Sequence, residues 1–250
     1  MKTSSELRQN ARQSLTNNWG PGIAVSAIYS AISTVSSYAI GLVVGIISVI
    51  LTIPLAAILV SSVSSEIATS VGEFISSIFN LLASFVALLI TAPLTYGLIT
   101  CFIKLIRTNT INIADLFTGF TKAFKKSFIM QLLVSIYTAL WTLLFIIPGI
   151  IKGISYAMSY FVLIDNPEFT ATQAIAESQR LMNGHKADYF MLQLSFIGWI
   201  LLSILTCGIG FIFLVPYMET TNAHFYQTLK EETFFKTNPI NFENNNLNQF

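Results

Sequence analysis

The stretch GLVVGIISVILTIPLAAILV, residues 41–60, carries no charged side chain and is almost continuously apolar. A helix needs about 20 mostly apolar residues to cross the hydrocarbon core of a membrane, and this stretch is long enough. The strands of outer-membrane barrels alternate apolar and polar residues with a period of two, a pattern that this stretch does not follow. It therefore predicts apolar helix in a membrane and argues against a membrane β-barrel.

The composition of the whole chain is that of a membrane protein. Hydrophobic residues make up 54% of its 250 residues, charged residues make up only 10%, and the mean hydropathy is +0.68. Soluble domains carry about 25% charged residues, whereas here no Asp, Glu, Lys, Arg or His occurs from residue 13 to residue 65. The 13 basic and 12 acidic residues leave a net charge of only +1. These numbers exclude a soluble enzyme, a disordered chain and a nucleic-acid-binding protein.

We predict an all-α, polytopic membrane bundle of about six transmembrane helices, with short amphipathic helices on the cytoplasmic side. Residues 1–20 form an interfacial segment, residues 21–229 form the membrane domain, and residues 230–250 form a disordered cytoplasmic tail. The predicted spans cover residues 23–45, 78–103, 127–147, 150–164, 189–206 and 208–226.

The basic residues predict the orientation, because Lys and Arg accumulate in cytoplasmic loops. Twelve of the 13 fall in four segments: the N-terminus, the loop after the second span, the polar stretch 165–188 and the C-terminal tail. With these four segments inside, both termini are cytoplasmic, and only Lys152 remains near the outer face. An even number of spans must then separate Arg12 from Lys104.

Residues 46–77 are first apolar and then serine-rich. Taken alone, they fit a third span, a re-entrant segment or a helical hairpin on the outer face. The even number of spans between Arg12 and Lys104 favours a segment that does not cross the membrane. Glu66 and Glu73 then lie outside.

Three short segments on the cytoplasmic side are amphipathic. In the first, Thr3 and Glu6 fit a capping box, and in the third Thr170 and Gln173 fit another. The second segment, residues 114–126, has phenylalanines on one face and lysines beside it. Such helices bind anionic lipid, and they either anchor the chain or form a collar that senses lipid or docks a partner. The partners we expect are the anionic inner leaflet and either another membrane protein or a second copy of this chain.

A series of distinctive runs, most of them in the second half of the chain, is typical of one family. The runs are LLFIIPGIIK (143–152), SYAM (155–158), DNP (165–167), SQRLMNGHK (178–186), SFIGW (195–199), PY (216–217) and, earlier, DLFTGF (115–120). In order and spacing they resemble, over roughly residues 5–230, a bacterial integral-membrane family catalogued as domain of unknown function 975. Relative to its shorter members, residues 50–75 look like an insertion. The resemblance implies a polytopic helical fold in the bacterial plasma membrane, and it implies no activity.

Ionisable residues within membrane segments are the default candidates for function. Lys152, soon after Pro148 and Gly149, fits either a lysine that reaches the outer interface or a ligand contact at a broken helix. Glu219 fits either a helix-end acid or a proton- or cation-coupling carboxylate. The remaining candidates belong to the cytoplasmic polar stretch: Arg180, His185 and Lys186.

The sequence contains no phosphate-binding loop and no zinc-protease or hydrolase motif, and it has only two histidines and two cysteines. We therefore expect a non-enzymatic protein without cofactor or metal. The first hypothesis is a membrane-organising or accessory component of a transport or envelope-stress system. The alternative is a small-solute or ion transporter or channel that uses Pro148, Gly149 and Glu219.

Overall fold

A computed structural model describes residues 2–62, 65–206 and 208–237 of the chain. Within these ranges the structure is helical and contains no strand, which confirms the predicted all-α fold class. The α-helices in these ranges are α1 (Ser4–Leu15), α2 (Trp19–Ser62), α3 (Ser65–Thr108), α4 (Thr118–Lys122), α5 (Phe124–Leu144), α6 (Ile146–Tyr156), α7 (Ser159–Asp165), α8 (Ala171–Leu181), α9 (Lys186–Leu194), α10 (Ile197–Leu205) and α11 (Phe211–Thr237). A 3-10 helix, Ile113–Phe117, precedes α4.

Five segments of the described chain are long and apolar enough to cross a membrane. They are Trp19–Leu55, Thr69–Thr108, Phe124–Leu144, Ile146–Asp165 and Lys186–Leu205. Each overlaps one of the six predicted spans. The remaining predicted span, residues 208–226, does not qualify, because α11 becomes polar three residues after Pro216.

The first two long helices form an antiparallel hairpin, which we call the first arm (α2 and residues 65–91 of α3). The Ser48 hydroxyl lies 3.2 Å from the Ser76 hydroxyl within the arm, and the Tyr29 hydroxyl lies 3.2 Å from the Thr95 hydroxyl, just beyond it on α3. Each helix has 44 residues, about 66 Å at the α-helical rise, whereas the hydrocarbon core of a bilayer is about 30 Å thick.

Residues 46–62 and 65–77 are therefore helical continuations of the first two predicted spans. Whether they cross the membrane stays a prediction, as does the placement of Glu66 and Glu73 outside.

Two shorter hairpins complete the apolar part of the molecule. In the second arm (α5 and α6) the chain reverses at Phe145, whose backbone is extended. A Cβ on Gly149 would lie 2.8 Å from the Thr142 Cα, so the close packing of the two helices requires a glycine there. The third arm (α9, α10 and residues 211–213) turns through Gly208, whose φ of +89° favours glycine.

The buried core lies where α1, α7 and α8 meet the later parts of α3 and α11. We call this region the base (α1, residues 92–108 of α3, the 3-10 helix, α4, α7, α8 and residues 214–237). Its largest fully buried side chains include Tyr226, Phe102 and Phe225. The 3-10 helix docks on α3 backbone to backbone, since a Cβ on Gly97 would overlap the Leu116 carbonyl.

Two of the three amphipathic segments pack on protein rather than presenting their apolar faces to lipid. Leu7, Ala11 and Leu15 of α1 are buried, chiefly against α11. The apolar face of α8 is likewise buried, against α7 and α5. The expectation that the apolar face of residues 4–16 lies on lipid is therefore corrected, because that face packs on protein, while the interfacial position of residues 1–20 stays a prediction. Both predicted capping boxes are confirmed.

The middle amphipathic segment differs from the other two. Phe117, Phe120 and Phe124 remain exposed, while only Leu116 of its predicted apolar face is buried. At the C-terminal end, α11 continues to Thr237, so residues 230–237 of the predicted disordered tail are helical. Residues 238–250 of that tail lie outside the described residues.

Candidate functional site

The candidate residues of the second arm support its packing. Pro148 lies in the first turn of α6, where its missing N–H costs no helical hydrogen bond. Gly149 contacts Thr142 of α5. The Lys152 amine lies 4.9 Å from the centroid of the Trp141 ring, within the range of a cation–π interaction. The joint between the two helices is a one-residue hairpin turn.

Arg180 forms a local ion pair on α8. Its guanidinium donates two hydrogen bonds of 2.7 Å to the Glu177 carboxylate, and this contact raises the pKa of Arg180. The Arg180 side chain is 58% exposed. A pair of this kind, between exposed side chains one helical turn apart, stabilises a protein by less than about 1 kcal/mol.

His185 links the start of α9 to the last turns of α11. Its Nδ1 lies 3.3 Å from the Asp188 carboxylate, and its Nε2 lies 3.4 Å from the Glu232 carboxylate. Lys186 follows as the first residue of α9 and is half-buried. This pair of candidates therefore marks where the third arm joins the base.

Glu219 belongs to a polar seam between α9 and α11. It is near enough to Tyr189 to act on the phenol electrostatically. One turn further along α11, the Asn222 carbonyl accepts a hydrogen bond of 2.9 Å from the Gln193 amide. His224 points elsewhere, since its Nε2 lies 2.9 Å from the Ser14 hydroxyl of α1. Glu219, Lys152 and His185 thus lie in three different places.

The structure brings together a different set of residues around Asp165, at the end of α7. Arg107 of α3 donates two parallel hydrogen bonds, of 2.8 and 2.9 Å, to the two carboxylate oxygens. Lys230 and Tyr226 of α11 donate to Oδ2 at 2.6 and 3.0 Å. The Asp165 side chain is only 4% exposed. We call these four residues the Asp165 cluster.

The Asp165 cluster joins three helices through one carboxylate. A bidentate guanidinium is the strongest common partner of a carboxylate, and here a lysine and a phenol add two further hydrogen bonds to Oδ2. Removing one partner of a buried ion pair costs about 3–5 kcal/mol, because the other charge is left without compensation. Within the described residues, the four hydrogen bonds that the Asp165 carboxylate accepts all come from other helices, so the cluster holds α3, α7 and α11 together.

Sequence reasoning missed the Asp165 cluster. Its partners are 58 to 65 residues away from Asp165 in the chain, and no local spacing connects them. One signal was available: Asp165 begins the DNP run that carries the family resemblance. Within the described residues, no group of three or more His, Cys, Asp or Glu side chains could hold a metal ion.

Comparison with known proteins identifies a family and no activity. The family model described as "Protein of unknown function (DUF975)" matches residues 1–155 and residues 143–233. No curated protein and no solved structure matches the chain. The two matched ranges together cover all three arms and the base as far as residue 233.

Proposed function

The chain belongs to the DUF975 family of proteins of unknown function, and from that premise we propose that it is a non-enzymatic integral protein of the bacterial plasma membrane. In this proposal it organises the membrane or serves as an accessory component of a transport or envelope-stress system. Its arms extend from the cytoplasmic face into the bilayer, the first arm with its tip at the outer face, and its base lies at the cytoplasmic face with both termini.

One observation carries the proposal: the large exposed apolar side chains are concentrated on the arms. They occupy residues 35–86 of the first arm, 136–151 of the second and 190–213 of the third. Side chains such as Leu143, Phe145 and Leu205 are 86%, 66% and 80% exposed. Such a surface is unfavourable in water, and apolar patches of this extent mark membrane or protein contacts.

The base has the polar character expected at a membrane surface. It holds most of the basic residues, and the others lie at arm ends that adjoin it, as Lys126 shows by donating to the Pro167 carbonyl. Lys152 is the exception, on the second arm. A reporter fused at Ser70 tests the orientation: an outside signal there, with an inside signal at the C-terminus, is expected, and an inside signal at Ser70 contradicts the proposal.

Exposed small residues on the first arm support contacts with other membrane helices. A Cβ at Gly41 or Gly45 would meet nothing within 4 Å, so these two glycines do not pack against another helix inside the monomer. Small residues on a membrane helix let another helix approach closely. A membrane-protein partner or a second copy of the chain is the occupant that the proposal requires.

Photo-crosslinking in native membranes tests this role. We expect a benzoylphenylalanine at Gly45 to give a discrete protein adduct, and one at Gln9, exposed on α1 of the base, to give none of the same mass. Adducts at Gly45 that contain only lipid would contradict the accessory role.

The transporter alternative rests on Glu219 in the polar seam between α9 and α11. A carboxylate on an apolar arm or beside it is a standard element of proton and cation coupling. The variants Glu219→Gln and Lys152→Met discriminate the two hypotheses. Loss of a transport phenotype in Glu219→Gln alone would favour a transporter, and full phenotype in both variants would remove its main support.

A further inference from the structure

The third arm and the base form a groove of about 350 Å³ between α10 and α11, with Arg12 of α1 on its lining. Trp199 and Leu202 line it from α10, Phe213 and Leu214 line it from α11, and Trp19 at the start of α2 also lines it. Ligand pockets in proteins commonly measure about 300–1,000 Å³, so the groove is large enough for part of an organic molecule.

The polar side chains inside the groove are already satisfied by the backbone. Ser203 donates to the Trp199 carbonyl at 2.7 Å, and Thr206 donates to the Ser203 carbonyl at 2.9 Å. Thr206 also accepts a hydrogen bond from the Gly210 N–H at 3.1 Å. The walls therefore present apolar surface, which suits a hydrocarbon chain better than a polar solute.

Among the described residues that line the groove, Arg12 is the charged one. Its Nε donates to the Tyr217 hydroxyl at 3.2 Å, and its guanidinium lies 5.6 Å from the Tyr217 ring centroid. Among the described residues no carboxylate pairs with it. A guanidinium has five N–H donors, so most of the donors of Arg12 remain available to an anion.

The position of Arg12 matches the level of lipid headgroups. It lies seven residues before Trp19, where the first membrane-spanning segment begins. Tryptophans concentrate at the interface between headgroups and hydrocarbon. The groove thus combines a guanidinium at the membrane interface with apolar walls from the hairpin. A phospholipid has the matching arrangement, with a charged headgroup followed by acyl chains.

We infer that the groove binds one anionic phospholipid, with its phosphate on the Arg12 guanidinium and an acyl chain between α10 and α11. The inference rests on the proposed placement of the arms in the bilayer and adds a specific lipid site to it. The site differs from general attraction to the inner leaflet, because it depends on one arginine and one groove.

Tryptophan quenching in detergent-purified full-length protein tests headgroup recognition. The chain has three tryptophans, and Trp141→Phe leaves only the two that line the groove. We expect phosphatidylglycerol with brominated acyl chains to quench at a concentration about tenfold lower than brominated phosphatidylcholine. Both lipids carry a phosphate, but the choline cation of phosphatidylcholine offsets the negative charge that a charge-assisted contact with Arg12 needs.

Arg12→Gln should raise the phosphatidylglycerol concentration needed for quenching to the phosphatidylcholine level. Arg8→Gln is the matched control, since it removes the same charge from the same helix outside the groove, and it should leave the tenfold preference intact. Equal quenching by both lipids, or equal effects of the two substitutions, would overturn the inference. Displacement of phosphatidylglycerol by millimolar inorganic phosphate would assign the site to a free anion and would also overturn it.

A second pair of variants tests the groove itself. Leu202→Trp fills the groove, whereas Leu201→Trp adds the same side chain at a neighbouring exposed position of α10 that does not line it. Native mass spectrometry should show at least a fivefold weaker retention of phosphatidylglycerol in Leu202→Trp only. Similar retention in both variants would contradict the site. These assays use isolated protein, so their failure leaves the crosslinking result at Gly45 untouched.

Discussion

Helix α3 places two phenylalanines in opposite surroundings. Phe102, in the base, is fully buried, whereas Phe74, in the first arm, is 67% exposed. The residue type and the helix are the same, so the difference lies in what surrounds each end of the helix. In the base, neighbouring helices cover the apolar faces, and the buried carboxylate of Asp165 is paired. In the arms, apolar faces have no neighbouring helix across much of their surface, and a bilayer is the environment that suits them.

The largest expected loss of stability comes from a substitution in the base, and the matching substitution in the first arm should have little effect. Phe102→Ala should lower the free energy of unfolding in detergent by about 4 kcal/mol, because truncating a buried phenylalanine leaves a cavity. Phe74→Ala on the same helix should lower it by less than about 1 kcal/mol. Equal losses in the two variants would show that the two ends of α3 are packed alike.

The next effect concerns the Asp165 cluster. Asp165→Asn should lower the free energy of unfolding by about 2 kcal/mol, because hydrogen bonds to a charged group are lost, while water still screens Arg107 and Lys230, which are 38% and 44% exposed. Glu177→Gln is the control, because it breaks an ion pair with the exposed Arg180 and should cost about 0.5 kcal/mol. Chemical denaturation of both variants measures the difference. A loss of less than about 1 kcal/mol in the free energy of unfolding for Asp165→Asn would show that the cluster does not hold the three helices together.

Substituting a glycine by alanine tests whether the backbone at that position is closely packed. Gly97→Ala should destabilise the protein by about 2 kcal/mol, because the new Cβ would overlap the Leu116 carbonyl. Gly41→Ala, also inside a long helix, meets open space and should stabilise it by up to about 1 kcal/mol through helix propensity. Thermal unfolding of the two variants should shift in opposite directions, and shifts of the same sign would contradict this packing.

The smallest expected change in stability tests whether Lys152 has a role beyond its contact with Trp141. Lys152→Met removes the cation from the Trp141 ring and should cost about 0.5–1 kcal/mol. Lys152→Arg keeps a cation over the ring and should cost less. A loss above about 2 kcal/mol for the methionine variant would indicate that Lys152 does more than stabilise the second arm.

Much of the fold could be predicted from local patterns. Apolar stretches such as residues 41–60 predict helix by length alone, and Thr170 with Gln173 predicted a helix start that the structure confirms. The prediction for α1 was wrong in one respect. An apolar stripe such as Leu7, Ala11 and Leu15 has the same spacing whether the helix lies on lipid or on protein, and only tertiary packing distinguishes the two.

The sites were less predictable than the helices. The Asp165 cluster joins α3, α7 and α11 through side chains far apart in sequence, and no spacing rule connects them. The groove beside Arg12 likewise forms only when α1 returns to α11. Local reasoning ranked Lys152 and Glu219 first because isolated charges in apolar segments are conspicuous, whereas paired charges in the base looked like ordinary loop residues.

The separation of arms from base is tested most directly by spin labels in reconstituted bilayers. Labels on cysteines substituted one at a time for Val35, Leu143 and Leu205 should collide with dissolved oxygen and be protected from a water-soluble nickel complex. Labels at Gln9 and Thr172 of the base should show the opposite pattern. Access of the nickel complex to the three arm positions, equal to that at Gln9 and Thr172, would contradict a membrane location for the arms.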